Sequence, residues 1–104
     1  MTDKEMLEYA ARAAGIDIEW QPCGWAHDNN TGCEWNPLTD DGDALRLAVK
    51  LGIIIEYRRE ISACFAYHYN SNLEVVQRND QLDPYAATRR AIVRAAAEIG
   101  RQMK

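Results

Sequence analysis

Two short arrays of cysteine and histidine carry the residue types that could bind a metal ion. The first is Cys23-x3-His27-x5-Cys33, and the second is Cys64-x3-His68. A structural zinc site has four thiolate or imidazole ligands and generally uses a Cys-x2-Cys knuckle, which this sequence lacks. On a strand, Cys64 and His68 would lie about 13 Å apart, too far to bind one ion together. The spacings favour ordinary cysteines and no cofactor, and a zinc-stabilised module with Cys23, His27 and Cys33 as ligands is the alternative.

No pattern typical of an enzyme is present in the sequence. A catalytic cysteine needs a neighbouring base and a lowered pKa, and only proximity in sequence links Cys23 to His27. Motifs such as G-x-S-x-G, H-E-x-x-H and a phosphate-binding glycine loop are missing. The acidic residues Asp40, Asp41 and Asp43 could bind a divalent metal, but capping and the helix dipole explain carboxylates at a helix N-terminus. We therefore predict a protein without catalytic activity.

Arginine residues of the last predicted helix could bind an anion. At 100° per residue, Arg90, Arg94 and Arg101 fall within about 40° of one another. Guanidinium groups bind phosphates in bidentate fashion, so this arginine stripe could hold an anionic small molecule, an acidic partner or nucleic acid. A solvated helix face is the commoner explanation for such a stripe.

Arg89 differs from the stripe because it projects only about 40° from the apolar side of its helix. A buried charge is costly unless it is paired. We therefore predict that Arg89 pairs with an acid such as Asp41 or Asp43, and we include it among the candidate binding residues. The apolar line of this helix is predicted to contain Tyr85, Ile92, Ala96, Ile99 and Met103.

The segment 21–36 lacks periodicity and is the second candidate for binding. It combines aromatic residues with a turn-forming run at 28–32, which predicts an irregular hairpin. Tryptophan is enriched in binding hot spots, and Trp25 is the one we expect to be exposed. The predicted binding residues of this loop are Trp25, His27, Asn29 and Asn30.

Composition limits the classes of function. The chain has 104 residues and a formal net charge of -4. It is long enough for a single domain, 1–104, that buries about two thirds of its unfolded surface. The acidic balance makes nucleic acid an unlikely partner and argues against a membrane surface. Three cysteines and the lack of a signal peptide or an apolar run of about 18 residues predict a cytoplasmic protein.

Helices and strands that position these residues can be read from caps and periodicity. A capping box opens a helix at 3–14, Thr39 or Asp40 caps a second helix that Gly52 ends, and Asp83-Pro84 opens the last helix. Alternating or β-branched runs predict strands at 16–20, 53–57, 61–69 and 73–78. The prediction is an α+β fold, a three-layer α/β/α-type sandwich around a small, mainly antiparallel sheet. Its order is α-β-(hairpin)-α-β-β-β-α, and the strand at 61–69 is expected to be central and partly covered on both faces.

Three pieces of the chain resemble a known family. They are WNPL at 35–38, DDGDALRLAV at 40–49 and DPYAATRRAIVRAA at 83–96. These are similar to small bacteriophage and prophage proteins, the phage ABA-sandwich proteins, over roughly half the chain. The resemblance implies an α/β/α layered fold and a phage origin, and it implies no activity. Residues 21–34 have no counterpart in the family pattern.

These observations together predict a non-enzymatic phage accessory protein that acts by binding in the bacterial host cytoplasm. We expect it to be a counter-defence factor that engages a host protein or sequesters an anionic small molecule. A symmetric homo-oligomer is compatible with such a sheet-edged domain. Nucleic-acid binding through Arg90, Arg94 and Arg101 is a further alternative, and the acidic net charge disfavours it.

Overall fold

The computed structural model describes residues 1–68 and 71–103. Its elements in order are α1 (Asp3–Ala14), β1 (Ile18–Trp20), β2 (Ala26–Asp28), α2 (Asp41–Leu51), β3 (Ile53–Arg58), β4 (Ala63–His68), β5 (Glu74–Arg78) and α3 (Pro84–Gln102). A 3₁₀ turn at Arg59–Ile61 joins β3 to β4. The predicted α+β class and order of elements are confirmed. The strand predicted at 61–69 begins at Ala63, and its last residue, Tyr69, lies outside the described residues.

The helices begin and end where local hydrogen bonding predicts. The Thr2 hydroxyl accepts from the Glu5 amide at 3.1 Å, and the Glu5 carboxylate accepts from the Thr2 amide at 3.1 Å. Asp40 accepts from the Asp43 amide at 2.8 Å and starts α2. Gly52 ends α2 in the left-handed conformation with φ 70°, which a glycine adopts without a steric penalty.

The strands form two small antiparallel sheets, because short connections join successive strands. The three-stranded sheet has the order β3-β4-β5, with Ala66 opposite Ile55 on one side and Val75 on the other. The second sheet pairs β1 with β2, and an isolated bridge joins His27 to Glu34. The predicted irregular hairpin is therefore present as a short ladder followed by a returning loop.

Helix α3 is the inner element of the fold. It packs against α1 on one side and against the three-stranded sheet on the other, with α2 beside it. Small residues permit this, and the buried ones are Ala87, Ala91, Ala95, Ala96, Ala97 and Gly100. The layers therefore follow the order sheet, α3, α1. Within α3, Ile92 and Ala96 are buried as predicted, whereas Tyr85 and Met103 are 72% and 43% exposed because they lie at the two ends of the helix, beyond the covered part.

Among the described residues, no helix packs on the other face of the three-stranded sheet. Cys64 and Ala66 of β4 are buried under α3, whereas Phe65 and Tyr67 point the other way and are half-buried. Arg58 lies over the Phe65 ring at 4.6 Å from its centroid and shields part of this face. The expected two-sided cover of the central strand is therefore partial. Over the described ranges, no helix combines the length and apolarity needed to cross a membrane.

Candidate ligand-binding cleft

A cleft of about 560 Å³ lies between α2, β3 and the first turns of α3. All three of these elements contribute side chains to its apolar lining. Helix α2 contributes Leu45, which is 61% exposed, and β3 contributes the inward side chains of Ile55 and Tyr57. Helix α3 contributes Tyr85 and Ile92. Small-molecule sites typically have this volume range and this predominance of apolar lining.

Arg89 lies at the polar part of the cleft and is held by two contacts. Its Nε donates to the Leu38 carbonyl oxygen at 2.8 Å, and its Nη1 donates to Asp41 Oδ1 at 2.7 Å. The predicted pairing of Arg89 with an acid at the start of α2 is therefore confirmed. The Arg89 side chain is 18% exposed, whereas that of Asp41 is 76% exposed. These two contacts use two of the five guanidinium N–H groups, so Arg89 has further donors for a ligand.

Arg59 is the second cation that lines the cleft. It is an exposed residue of the 3₁₀ turn that follows β3, and no ion pair holds its side chain within the described ranges. The nearby Tyr57 hydroxyl accepts a hydrogen bond from Asn79 Nδ2 at 2.7 Å, which fixes its ring. The described lining contains no cysteine or histidine. The arrangement can bind an apolar group beside an anion.

The predicted loop residues contact their own segment and Asp17, which precedes β1. Trp25 is half-buried, and its ring is tilted by 56° against His27 with centroids 5.9 Å apart. Asn29 and Asn30 are exposed. Asn29 Nδ2 donates to Asp17 Oδ2 at 3.1 Å, and the Asn30 amide donates to the buried carboxylate of Asp28 at 2.8 Å. None of the four predicted loop residues lines the cleft.

Two residues of the arginine stripe, Arg90 and Arg94, connect α3 to other elements of the fold. Arg90 forms an ion pair with Asp3 of α1 at 3.0 Å, and Arg101 pairs with Glu98 at 2.8 Å. Arg94 Nη1 donates to the Val76 carbonyl oxygen at 3.0 Å and to Gln77 Oε1 at 2.9 Å. Arg90 and Arg94 share a second cavity of about 370 Å³, which Arg101 does not line. The helix face therefore has intramolecular partners that its own sequence period does not reveal.

The cysteines do not assemble into a metal site. Cys23 and Cys33 are exposed, and Cys64 is buried on the inner face of β4. Over residues 1–68 and 71–103, no group of three or more histidine, cysteine, aspartate and glutamate side chains is arranged to hold a metal. The alternative ligand set Cys23, His27 and Cys33 is therefore not brought together. Burial raises the pKa of the Cys64 thiol, and a hydrogen bond with Thr88 opposes this in part.

We expect only two of the three thiols to react with an aromatic disulfide reagent at neutral pH in the folded protein. Cys23 and Cys33 are exposed, whereas Cys64 is shielded and its thiolate is disfavoured by burial. The third thiol should react only after denaturant is added. Absorbance of the released thiolate measures the count. The variant with Cys23→Ser and Cys33→Ser should release none before unfolding, and rapid reaction of this variant would contradict the burial of Cys64.

Sequence reasoning identified Arg89 and missed the rest of the cleft. The available signal for an unfilled contact is Leu45, which with Val49 widens the apolar face of the helix at 41–51 beyond Ala44, Leu47 and Ala48. Tyr85 was assigned to the core, and Tyr57 and Arg59 were read only as a strand end and a connection. The cleft depends on how three elements approach one another, and no local pattern encodes that approach.

No known protein family, curated protein or solved structure matches this chain. The resemblance to phage ABA-sandwich proteins therefore stays a prediction.

Proposed function

We propose that this chain acts by binding, without catalysis, and that its ligand is a small molecule that combines an apolar body with an anionic group. The observation that carries the proposal is the cleft itself, in which Arg59 and Arg89 accompany a predominantly apolar lining. Sequestration of an anionic small molecule is one of the two roles expected from the sequence. The cleft joins two cations to a predominantly apolar lining, which favours it over the cavity that Arg90 and Arg94 line beside Glu98.

The apolar lining supplies affinity for the body of the ligand. Leu45 and Tyr85 are largely exposed without a ligand, and covering apolar area contributes roughly 25 cal/mol per Å². Tyr85 and Tyr57 also offer ring faces, which favour an aromatic or other planar group. A large exposed apolar surface that surrounds a few polar groups is typical of a binding site.

The two arginines supply selectivity for an anion. The protein as a whole carries a net charge of -4, so a general attraction for anions is absent. Local cations in an apolar surrounding interact more strongly with an anion than exposed cations do in water. Arg89 is partly buried and already oriented by the Leu38 carbonyl, so little conformational freedom is lost when it binds.

A host protein, the other partner expected from the sequence, has less support. Among the polar groups of the predicted loop that would face it, the Asn29 side chain is bonded to Asp17 and the Asn30 backbone amide to Asp28. Under the resemblance to phage proteins, sequestration of an anionic host molecule would serve counter-defence, and that role is part of the proposal.

The experiment uses anilinonaphthalene sulfonate, which joins an aromatic body to an anion, and its uncharged analogue phenyl-naphthylamine. We expect saturable binding of one sulfonate probe per chain, measured by fluorescence titration of the folded protein. Arg59→Ala should weaken the sulfonate probe roughly twofold to fivefold, as expected for one exposed cation, and leave the uncharged probe unchanged. Added salt should reduce that difference. Tyr85→Ala should weaken both probes.

Arg78→Ala is the matched control, because it removes an exposed arginine of β5 that does not line the cleft. Its probe affinities should equal those of the unaltered chain. The proposal would be overturned if the unaltered chain and the three variants bound the probes with equal affinity, or if probe binding did not saturate. Native mass spectrometry of the chain purified from bacteria gives a second measurement, since a retained ligand would appear as added mass that Tyr85→Ala removes.

A further inference from the structure

Backbone hydrogen bonds determine which groups of the three-stranded sheet point toward its free edges. At one end the Asn79 amide donates to the Ser62 carbonyl at 2.9 Å, and at the other the His68 amide donates to the Leu73 carbonyl at 3.3 Å. Directly opposed residues of an antiparallel ladder alternate between bonded and non-bonded pairs. The even-numbered residues of β4 therefore bond to β5, and its odd-numbered residues bond to β3.

The same alternation shows which backbone amide and carbonyl groups of β3 point away from β4. Residues opposite the odd-numbered positions of β4 direct their amide and carbonyl groups inward, and these are Ile54, Glu56 and Arg58. The intervening residues direct theirs to the free edge, and these are Ile53, Ile55 and Tyr57. Within the described ranges, none of these outward backbone groups has a hydrogen-bond partner. Such an edge is a template for another strand.

The opposite edge of the sheet is protected. Val76 of β5 lies opposite Phe65, so its backbone groups point outward by the same alternation. Arg94 reaches from α3 and donates to the Val76 carbonyl oxygen at 3.0 Å. An added strand at β5 would have to displace this charged side chain. The two edges therefore differ, and within the part of the chain that the structure describes the β3 edge is the one open for pairing.

Exposed apolar side chains accompany the open edge. Helix α2 leads directly into β3, and its residues Leu45 and Val49 are one turn apart on the same side. Val49 is 73% exposed, and Ile54 of β3 is also exposed. An apolar surface beside an open strand edge is typical of a surface that another chain covers.

We propose that a second copy of this chain pairs with the β3 edge, antiparallel, about a two-fold axis at Ile55. In this register Ile55 lies opposite Ile55 of the second copy, and Ile53 lies opposite Tyr57. All outward residues of one strand then face outward residues of the other, so each exchanges its hydrogen bonds with a counterpart. If the two-fold axis lay at Glu56 instead of Ile55, Ile53 would have no strand residue opposite it. The two Glu56 carboxylates would then lie directly opposite each other, where like charges repel.

The pairing joins the two three-stranded sheets into one and keeps the α3-covered faces on the same side. Val49 and Leu45 of each copy then lie beside the new junction. This inference does not depend on the proposed ligand, because it concerns the strand edge and the chain without a ligand.

Sedimentation and backbone amide exchange of the purified chain test the proposal. We expect a dimer that dissociates on dilution. In the dimer the amides of Ile53, Ile55 and Tyr57 should be protected from exchange, and this protection should fall as the protein is diluted. A monomer at millimolar concentration, or an oligomer that leaves these amides unprotected, would overturn the proposal. A monomer that captures a strand of a different protein would overturn it as well.

Two variants and a control sharpen the test. Ile55→Pro removes an amide that points to the free edge and leaves the hydrogen bonds between β3 and β4 intact, so it should abolish the dimer. Val49→Glu places a charge beside the junction and should weaken the dimer at least about tenfold without affecting the fold. Lys50→Glu introduces the same side chain on a different side of α2 and should leave dimerisation unchanged. Circular dichroism checks folding, and an unchanged dimer in Val49→Glu would contradict the interface even if Ile55→Pro does not fold.

Discussion

Replacement of Gly100 by alanine is expected to lower the free energy of unfolding by about 3 kcal/mol. A Cβ built at Gly100 overlaps the carbonyl oxygen of Tyr9 and lies 2.7 Å from its carbonyl carbon. These are backbone atoms of α1 and cannot rotate away, so the two helices would have to separate. Alanine is favoured over glycine within a helix by about 1 kcal/mol, and this gain is too small to offset the lost packing. Urea unfolding followed by circular dichroism measures the change.

Gly42→Ala is the matched control, because it makes the same substitution in a helix with a different surrounding. The atoms nearest to a Cβ at Gly42, all at 3.2 Å, belong to side chains: the Arg46 guanidinium, whose end can move, and Asp40 Oδ2, which caps α2 and has to give by only a few tenths of an ångström. The helix preference of alanine should therefore dominate, and the variant should be neutral or up to about 1 kcal/mol more stable. Equal effects of the two substitutions would refute the close approach of α1 and α3.

That close approach also shows what the sequence could not predict about the layers. The periodicity of α3 correctly placed Ile92 and Ala96 inside, and the predicted class and order of elements hold. The periodicity of large apolar residues defines one apolar line along a helix, however. The alanines around the rest of α3 do not indicate whether their side of the helix is buried or exposed. Because alanine and glycine are neutral in a pattern of apolar and polar residues, the burial of α3 on several sides could not be predicted from them.

Features that depend on neighbours in the chain were predictable. The caps at Thr2, Asp40 and Asp83, and the left-handed Gly52, each involve hydrogen bonds within a few residues. Asp41, 48 positions from Arg89, was one of the two acids predicted to pair with it, because a charge near an apolar line requires an acid and the start of α2 offers Asp41 and Asp43.

Features that depend on the approach of distant elements were not predictable. Arg94 looks like a solvated residue on a helical wheel, and only the position of β5 supplies the Val76 carbonyl that it binds. Tyr85 falls on the apolar line, yet the helix extends beyond the sheet at this point and leaves the ring at the cleft. The cleft and the open edge of β3 thus required the structure.

Replacement of Arg89 by methionine is expected to lower the free energy of unfolding by about 2 kcal/mol. Methionine preserves much of the apolar stem, so the change isolates the guanidinium group. Its bond to the Leu38 carbonyl is partly buried, and without it that carbonyl loses a charged donor. The ion pair with Asp41 contributes less, since Asp41 is mostly exposed and water competes for its carboxylate.

Two comparisons separate these contributions. Asp41→Asn should cost about 0.5 kcal/mol, and the double variant should cost nearly as much as Arg89→Met alone, since the carbonyl bond dominates. Arg90→Met removes a neighbouring arginine that pairs with the exposed Asp3, and it should also cost about 0.5 kcal/mol. If Asp41→Asn destabilised the protein as much as Arg89→Met, the ion pair would be the main contribution and the Leu38 carbonyl would not orient Arg89. The cleft would then have a mobile cation, and the affinity for an anionic probe would depend on Asp41 as strongly as on Arg89.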